Sequence, residues 1–478
     1  MSAFVFRPRC ELLPGEPGAL ALAAALGRLG SIVQRPVLFD SAGGVPARFS
    51  LLAFDPLPVR APRSIPGLRR FVRELAPRSG DALPDFFHGG FAGALAYELG
   101  AAAEPGLVLP RDPWGLPSLV GGLYTDFLVR DELRGETTLV LGEDPGDGRA
   151  SVAERARRLR TALERERQPA AFLPTGPLVR LVSRGEHCAR IERARALIAA
   201  GEIYQANLSH RFERSVHGDP LDLYLRLREL HPAPYMGFVR WRTGALLAAS
   251  PELLLEFGAD SAGTHARTRP IKGTIARGHG PLADERNARR LLASEKDRAE
   301  LAMIVDLERN DLGRIARPGS VRVEGFPRLE SLASVHHLLA DVSARPRAGI
   351  DATECLAALY PGGSVTGAPK LRSMEVIAEL EGEGRGFAYG ALAFLDTRGR
   401  MAANLLIRTL IWRPAPRRPG AGEVTFRVGG GITWGSVAQA EDDESLAKGE
   451  ALARALEGSG SRESVLGGWR SPAADALL

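Results

Sequence analysis

The 478-residue sequence predicts a mixed α/β (α+β) architecture. Three observations predict it. Short apolar runs of strand type alternate along the chain with segments of helical periodicity, instead of segregating into one half. Gly, Pro and Asp punctuate those runs at turn positions. The composition, 45% apolar and 25% charged, supports a core of ordinary size. No internal repeat is present.

Within residues 1–150, "PVLFD", "ARFSLLAF", "GGFAGALAYELG" and "GLYTDFLVRD" predict strands of one sheet. Residues 151–177 read as a connector. The turn cluster "EDPGDGR" leads into it, an arginine-rich amphipathic helix fills 151–166, and "QPAAFLPTGP" is a proline-containing linker. The region 178–457 opens with "SRGEHCARIERARALIAAGEI", a helix with Ser183 and Glu186 in capping-box spacing and Gly201 as its stop. "YQANLSHRF" and "GALLAASPELLLEF" predict strands, and 285–308 one long helix. "GAPKLRSMEVIAELE" is another helix, with proline near its first turn. "GFAYGALAFLD", "MAANLLIRTLIW" and "EVTFRVGGGI" read as three consecutive strands, after which Ser436 and Gln439 cap a final helix. The tail, 458–478, is expected to be loosely held.

Net charge is +5, but the basic residues are scattered among nearly as many acids. No basic tract is interleaved with aromatics, so no nucleic-acid partner is expected. Cys10, Cys188 and Cys355 are widely spaced, which fits a reducing compartment and no zinc motif. The start lacks a secretory pattern, and the alanine-rich stretch 19–26 is too short to span a bilayer. A cytoplasmic protein with no membrane partner is expected.

The basic residues are unevenly chosen. Of 62, only Lys272, Lys296, Lys370 and Lys448 are lysine. Arginine holds its proton too tightly to act as a nucleophile or base, whereas a desolvated lysine can release one. Each lysine is therefore a candidate for chemistry. Certain carboxylates also stand out. On a helix, Glu300 shares a face with Met303, Ile304 and Leu307, and Asp297 lies one turn earlier. A carboxylate facing a core is costly unless paired or bound to a cation. The plain alternative is an exposed pair with Lys296. On the final helix Glu441, Glu444 and Lys448 share a face; the plain reading is a surface salt bridge worth about 0.3–0.5 kcal/mol. Just upstream, "VGGGI" lets the backbone approach a ligand and present amides to an anion. Two carboxylate-bearing helices beside such a turn suit Mg²⁺ bridging the protein and an acidic substrate. "YPGGSVTGAPK" is a Gly-rich loop entering a helix, but Leu371 follows Lys370 where a phosphate loop needs Ser or Thr. Its helix N-terminus can still hold a carboxylate.

The strings "GEIYQANLSHRF", "SPELLLEF", "RPIKGT", "EKDRAELAMIVDLERNDLGR", "SVHHLL", "PGGSVTGAPK", "FAYGALAFLD", "IRTL" and "GGGITWGSVAQAEDDESLAK" together resemble the chorismate-utilising enzymes. These are component I of anthranilate synthase and of aminodeoxychorismate synthase, and the isochorismate and salicylate synthases. The strings run in the family's order across 178–457. "LFDSAG", "ARFSLLAFDP" and "GGFAGALAYELG" resemble its N-terminal region more loosely. The resemblance implies an anthranilate synthase component I-like fold, a large β-sandwich core flanked by helices. The expected division is an N-terminal region (1–150), the connector (151–177) and a chorismate-binding catalytic domain (178–457).

The resemblance further implies chorismate as substrate and Mg²⁺ on its ring carboxylate. Glu300 and Glu444 match the family's metal glutamates, with Glu441 close by; Asp297 is a geometric candidate for the outer shell. Arg408, Tyr389 and the amides of Gly429 and Gly430 match carboxylate-binding groups. Thr366, Gly367, Lys448, Gln205 and Thr274 complete the expected substrate site. Glu252 matches the general acid that protonates the departing 4-hydroxyl, against a plain role as a turn or helix cap. His337 matches the histidine near the ring, with His336 as its neighbour. Leu301 is a departure, since the family often has His or Asn there.

Two positions discriminate among members. Isochorismate and salicylate synthases carry a water-activating lysine where this chain has Gln205. Anthranilate synthases typically have alanine where it has Lys272, and aminodeoxychorismate synthases typically have lysine. The resemblance therefore implies component I of aminodeoxychorismate synthase, making 4-amino-4-deoxychorismate for 4-aminobenzoate and folate. In that role Lys272 attacks C2 of chorismate, and ammonia then attacks C4 and expels it. A carboxylate anchor is the plain role for Lys272. No Cys-His-Glu glutaminase signature is present, so a separate glutamine amidotransferase subunit is expected to supply ammonia, and a separate aminodeoxychorismate lyase to act next. The alternatives are an anthranilate synthase component I and a non-catalytic scaffold or regulatory subunit. Asp40, Ser41, Pro234, Tyr235 and Met236 resemble the place where family members bind tryptophan.

Overall fold

In a computed structural model, the described residues are 4–13, 21–42, 48–78, 80–104, 106–144, 148–165, 167, 171–332, 335–416 and 418–457. The tail expected to be loose lies outside them. Two large sheets dominate, one of 14 strands and one of nine. Their facing sides share one apolar core, which includes Leu246 and Ala248 from the first sheet and Leu255, Leu338 and Leu392 from the second. Helices cover the outer face of the first sheet, where Ala245, Leu247 and Ala249 pack with Leu26, Leu159 and Leu452. The strand Gly244–Ser250 thus sends alternate side chains into two different cores. Burial on both faces is why it reads as an unbroken apolar run. This is the sandwich flanked by helices that the family resemblance implies.

Strands from both ends of the chain share each sheet, and the single sheet expected within 1–150 is corrected: Val37–Asp40, Phe49–Phe54 and Asp126–Asp131 lie in the first, whereas Gly90–Leu95 and Leu119–Tyr124 lie in the second. Val37–Asp40 pairs with Tyr235–Trp241 in the first, and Gly90–Leu95 pairs with Ala391–Asp396 in the second.

Four local expectations are corrected. "GALLAASPELLLEF" is two strands in different sheets: Gly244–Ser250 lies in the first and Leu253–Asp260 in the second, with Pro251 and Glu252 at the crossing. "MAANLLIRTLIW" makes the reverse crossing, from Met401–Leu405 to Thr409–Pro414, through Arg408 at φ 50°. The predicted 285–308 helix is two, Pro281–Leu292 and Glu295–Gly313. Ser294 breaks it by accepting the Asp297 amide as a new N-cap. The final helix, Ala438–Leu456, begins without a side-chain cap. Ser436 instead accepts the Thr433 amide and donates to Glu441.

The other predicted helices form as read. Ser183 caps Arg184–Ala199, and Gly201 follows that helix at φ 78°. Lys370–Glu381 begins directly after Pro369. Among the described residues no helix is long and apolar enough to cross a membrane.

Candidate active site

The two sheet crossings lie side by side. The Leu405 amide donates to the Glu252 carbonyl at 3.1 Å, and the Ala249 amide donates to the Arg408 carbonyl at 3.0 Å. The fold thereby sets a buried carboxyl beside a half-buried guanidinium, with each side chain at a bend where it is free of the strand alternation. Arg408 has no salt bridge or side-chain hydrogen bond among the described residues. Its left-handed backbone is strained for a residue with a Cβ. A half-buried cation left unpaired beside a bend suits an anionic ligand.

Glu252 is 5% exposed. Burial pushes its carboxyl up to about 7, against the pull of a 2.6 Å hydrogen bond from Ser364 Oγ and of the Lys272 charge. Such a group holds its proton near neutrality and can still give it away, as a general acid must.

Lys272 lies on the strand Ile271–Ala276, whose pairing with Val335–Ala344 slips by one residue between Lys272 and Thr274. The slip is a β-bulge at Gly273, which has φ 80°. Bulges re-aim neighbouring side chains. A Cβ at Gly273 would stand 2.9 Å from that of Asp297, so the bulge also seats the strand against the Glu295–Gly313 helix. Lys272 Nζ lies 3.5 Å from the Ser364 carbonyl. Its charge acts on Glu252, Glu300 and Glu444, which come from three separate elements. Thr274 Oγ1 sits 2.8 Å from His337 Nδ1. Burial first, then Arg408, draws His337 down to about 3, so the ring is neutral.

Glu300, Glu441 and Glu444 converge from two helices. The Lys296 ammonium lies among them, 4.0 Å from Glu300, 3.7 Å from Glu441 and 3.6 Å from Glu444. The expected exposed pair of Lys296 with Glu300 is thus one arm of a bridge between helices. This cation stands in for the ion the sequence suggests: three carboxylates already gather one positive charge, and hard oxygen donors suit Mg²⁺. Lys448, 2.8 Å from Glu444, does most to hold that carboxylate down at about 2, while burial raises Glu300. Asp297 stands beside the bulge, one turn from Glu300.

The three glycines of "VGGGI" each meet a different neighbour. A Cβ would strike the Leu208 carbonyl at Gly429 and the Gln205 amide at Gly431. At Gly430 it would project toward Glu441 and Lys448, 3.5 and 3.6 Å away. The outer edge of this strand is paired only from Gly422 to Phe426. Beyond that, successive amides alternate between the two edges of the strand, so only one of the adjacent Gly429 and Gly430 amides can be offered on that edge. Tyr389, at φ 65°, is held against the guanidinium of Arg385, 4.7 Å from its ring. Gly367 packs on the Gln205 carbonyl, and Thr366 is buried with its hydroxyl bonded to the Gly362 carbonyl.

Several buried polar atoms here have no partner: both side-chain amide atoms of Gln205, Asn207 Oδ1 and His337 Nε2. Unsatisfied buried groups are rare, and a cluster of them marks a place shaped for a polar ligand.

Two sequence candidates resolve as structure. Lys370 is buried in an ion pair with Asp311 at 2.6 Å and bonds the Leu359 carbonyl. His336 is fixed by Asp284 and Ser331. Two contributors were missed. Ser364 bonds Glu252 through its hydroxyl, and its carbonyl accepts from both Lys272 and Asn207. Glu308 is buried, bonded by Thr268 at 2.9 Å, and pushed well above the carboxylate range by burial and by Glu252. The quoted strings contain both residues, but nothing in their spacing distinguishes them.

Away from this site, Asp40, Ser41, Pro234, Tyr235 and Met236 line one cavity of about 280 Å³ between the sheets. The Asp40 carboxylate is already engaged by Arg228 and Tyr224.

Comparisons with known proteins agree on one family. The profile described as chorismate binding enzyme matches residues 58–454. The chain is 37% identical over 434 residues to anthranilate synthase component 1 of Streptomyces coelicolor, covering 87% of this chain and 82% of the relative. It is also 37% identical over 379 residues to aminodeoxychorismate synthase component 1 of Salmonella typhimurium, covering 78% of each. The crystal structure of anthranilate synthase component I from Streptococcus pneumoniae superposes with a TM-score of 0.69 at 30% identity, over 85% of this chain and 92% of that one.

Proposed function

The chain belongs to the chorismate binding enzyme family, and we propose that within it this protein is component I of an aminodeoxychorismate synthase. It converts chorismate and ammonia to 4-amino-4-deoxychorismate, in the cytoplasm, for 4-aminobenzoate and folate synthesis. The observation that carries this reading is the position of Lys272. A bulge aims its amine at the Ser364 carbonyl, and its charge is felt by the buried acid and by carboxylates of both acidic helices.

In this reading Glu300, Glu444 and Glu441 hold Mg²⁺, which when bound supplies positive charge to the ring carboxylate. Arg408 takes the second carboxylate, for which its unpaired fork suits bidentate contact. His337, Thr274 and Gln205 line the ring, and Tyr389 joins Arg408 as a carboxylate-binding group. Lys272 first releases its proton to solvent; as the amine it bonds to C2 while the ring double bonds shift and the C4–O bond breaks. Glu252 gives its proton to that oxygen, and water leaves. Ammonia then bonds to C4, the C2–N bond breaks, and its electron pair returns to Lys272. A proton from the incoming nitrogen restores Glu252. Splitting one displacement into two is the advantage of a covalent nucleophile. Ammonia comes from a separate glutamine amidotransferase subunit, a reading supported by the names of the relatives as first components. A separate lyase acts on the product.

Mass spectrometry with chorismate and no ammonia tests the reading. An adduct on Lys272 is expected, and Lys272→Ala should lose aminodeoxychorismate formation and gain anthranilate. A variant that makes the wild-type product at near wild-type rate would count against it. The equal identity to the Streptomyces coelicolor protein favours a second reading, anthranilate synthase component I. Fluorescent anthranilate from the wild type with ammonium salt and no lyase would establish that reading instead.

A further inference from the structure

We propose that His187 and His210 form a second, buried metal site of zinc type behind the final helix, separate from the acidic cluster. His187 comes from the Arg184–Ala199 helix, His210 from the strand Gln205–His217, and Asp442 and Ser445 from the Ala438–Leu456 helix. All four side chains are buried. One nitrogen of each ring and one oxygen of Asp442 lie within 4.8 Å of one another, and the ring centroids are 4.3 Å apart.

The hydrogen bonds fix one donor nitrogen on each ring. Asp442 Oδ1, 2.6 Å from His187 Nδ1, can only accept, so that nitrogen is the donor. Ser445 Oγ spends its hydrogen on the Asp442 carbonyl at 2.7 Å. It therefore accepts from His210 Nε2 at 2.9 Å. These two donor nitrogens are directed at Asp442 and Ser445. His187 Nε2 and His210 Nδ1 are the remaining ring nitrogens, and both are buried with no partner.

Two unpartnered, buried imidazole nitrogens in adjacent rings suit a borderline transition-metal ion, whereas Mg²⁺ takes oxygen. A carboxylate behind one ring and a hydroxyl behind the other are the outer partners that orient metal-binding histidines. Arg180 bonds both oxygens of Asp442, and Arg184 lies 3.8 Å from one of them. Asp442 is therefore charge-balanced and serves as an outer partner. The two arginines oppose a dication and limit affinity. Asp442 follows Glu441 directly in sequence, so an ion here would pin the helix that presents Glu441 and Glu444.

The test uses the full chain, stripped with chelator and then saturated with Mg²⁺ to fill the acidic cluster. Titration with Co²⁺ should give visible d–d absorption that saturates at one equivalent. Micromolar Zn²⁺ should raise the melting temperature by several degrees. His187→Gln and His210→Gln should weaken both responses at least tenfold, while Glu444→Gln leaves them intact. Absence of both responses in the wild type overturns the proposal whether or not the variants fold. So does a full-strength band in His210→Gln, or its loss in Glu444→Gln.

Discussion

Replacing Ser364 by alanine removes one hydroxyl and leaves the carbonyl that faces Lys272. The hydroxyl donates to Glu252 Oε1 at 2.6 Å and favours the carboxylate form. Hydrogen bonds to charged groups contribute about 1.5–3 kcal/mol, and 1.36 kcal/mol corresponds to one unit of pKa. Removing this one should therefore raise Glu252 by about 1–2 units, from about 7 to roughly 8–9. Proton donation to the departing oxygen requires the acid form. In the wild type kcat should fall as pH rises through about 7, and in Ser364→Ala that descending limb should move up by about 1–2 units. The assay is aminodeoxychorismate formation across this range at saturating chorismate and a fixed concentration of un-ionised ammonia. A limb that stays in place, or moves to lower pH, refutes Glu252 as the acid under Ser364 control.

Four other outcomes are expected. Glu252 is raised in the fold from 4.5 to about 7, so the native state binds the extra proton between those values. Stability should fall as pH rises through that window by up to about 3 kcal/mol. Urea unfolding at pH 5 and pH 8 should show a loss smaller by about that amount in Glu252→Gln than in the wild type. Lys370→Ala leaves Asp311 buried and unpaired, which should cost about 3–5 kcal/mol of stability without changing the product. Lys296→Ala removes a cation that competes for three carboxylates from an exposed position. A total of about 1 kcal/mol for such pairs corresponds to a roughly fivefold lower half-saturating Mg²⁺ concentration in activity titrations. L-Tryptophan should raise the melting temperature of the wild type, and Met236→Trp, which fills the cavity from its own wall, should abolish that response.

Much of the fold was legible because local signals and tertiary structure agree. Ser183 and Gly201 bound a helix in both. The double-faced burial of Gly244–Ser250 is visible as an apolar run. The two sheet crossings were not legible, because Glu252 and Arg408 sit inside strings whose hydrophobicity continues on either side. Nothing in "ELLLEF" or "NLLIRTL" tells which sheet a leucine will join. That decision depends on partners more than a hundred residues away, such as Asn404 opposite Leu253. The break at Ser294 was missed for the opposite reason: a local cap overrode a periodicity that runs on through it.

The division of labour among the carboxylates has the same origin. By residue type alone, Glu252, Glu300 and Glu444 are equivalent acids. In the fold, Glu252 lies at a crossing with one hydroxyl donor and an amine nearby, and burial lifts it to about 7. Glu444 lies on a helix surface with Lys448 at 2.8 Å and is held at about 2. A carboxyl that must donate a proton and one that must stay ionised beside a cation need environments that push them apart. Strand geometry supplies the first environment, and an i,i+4 lysine supplies the second. The lysine spacing could be read from the sequence. The crossing could not, and it brings the acid, the unpaired Arg408 and the Ser364 carbonyl facing Lys272 into one place. A chain that kept every motif but made its crossings one residue earlier would place both residues inside strands and lose the site.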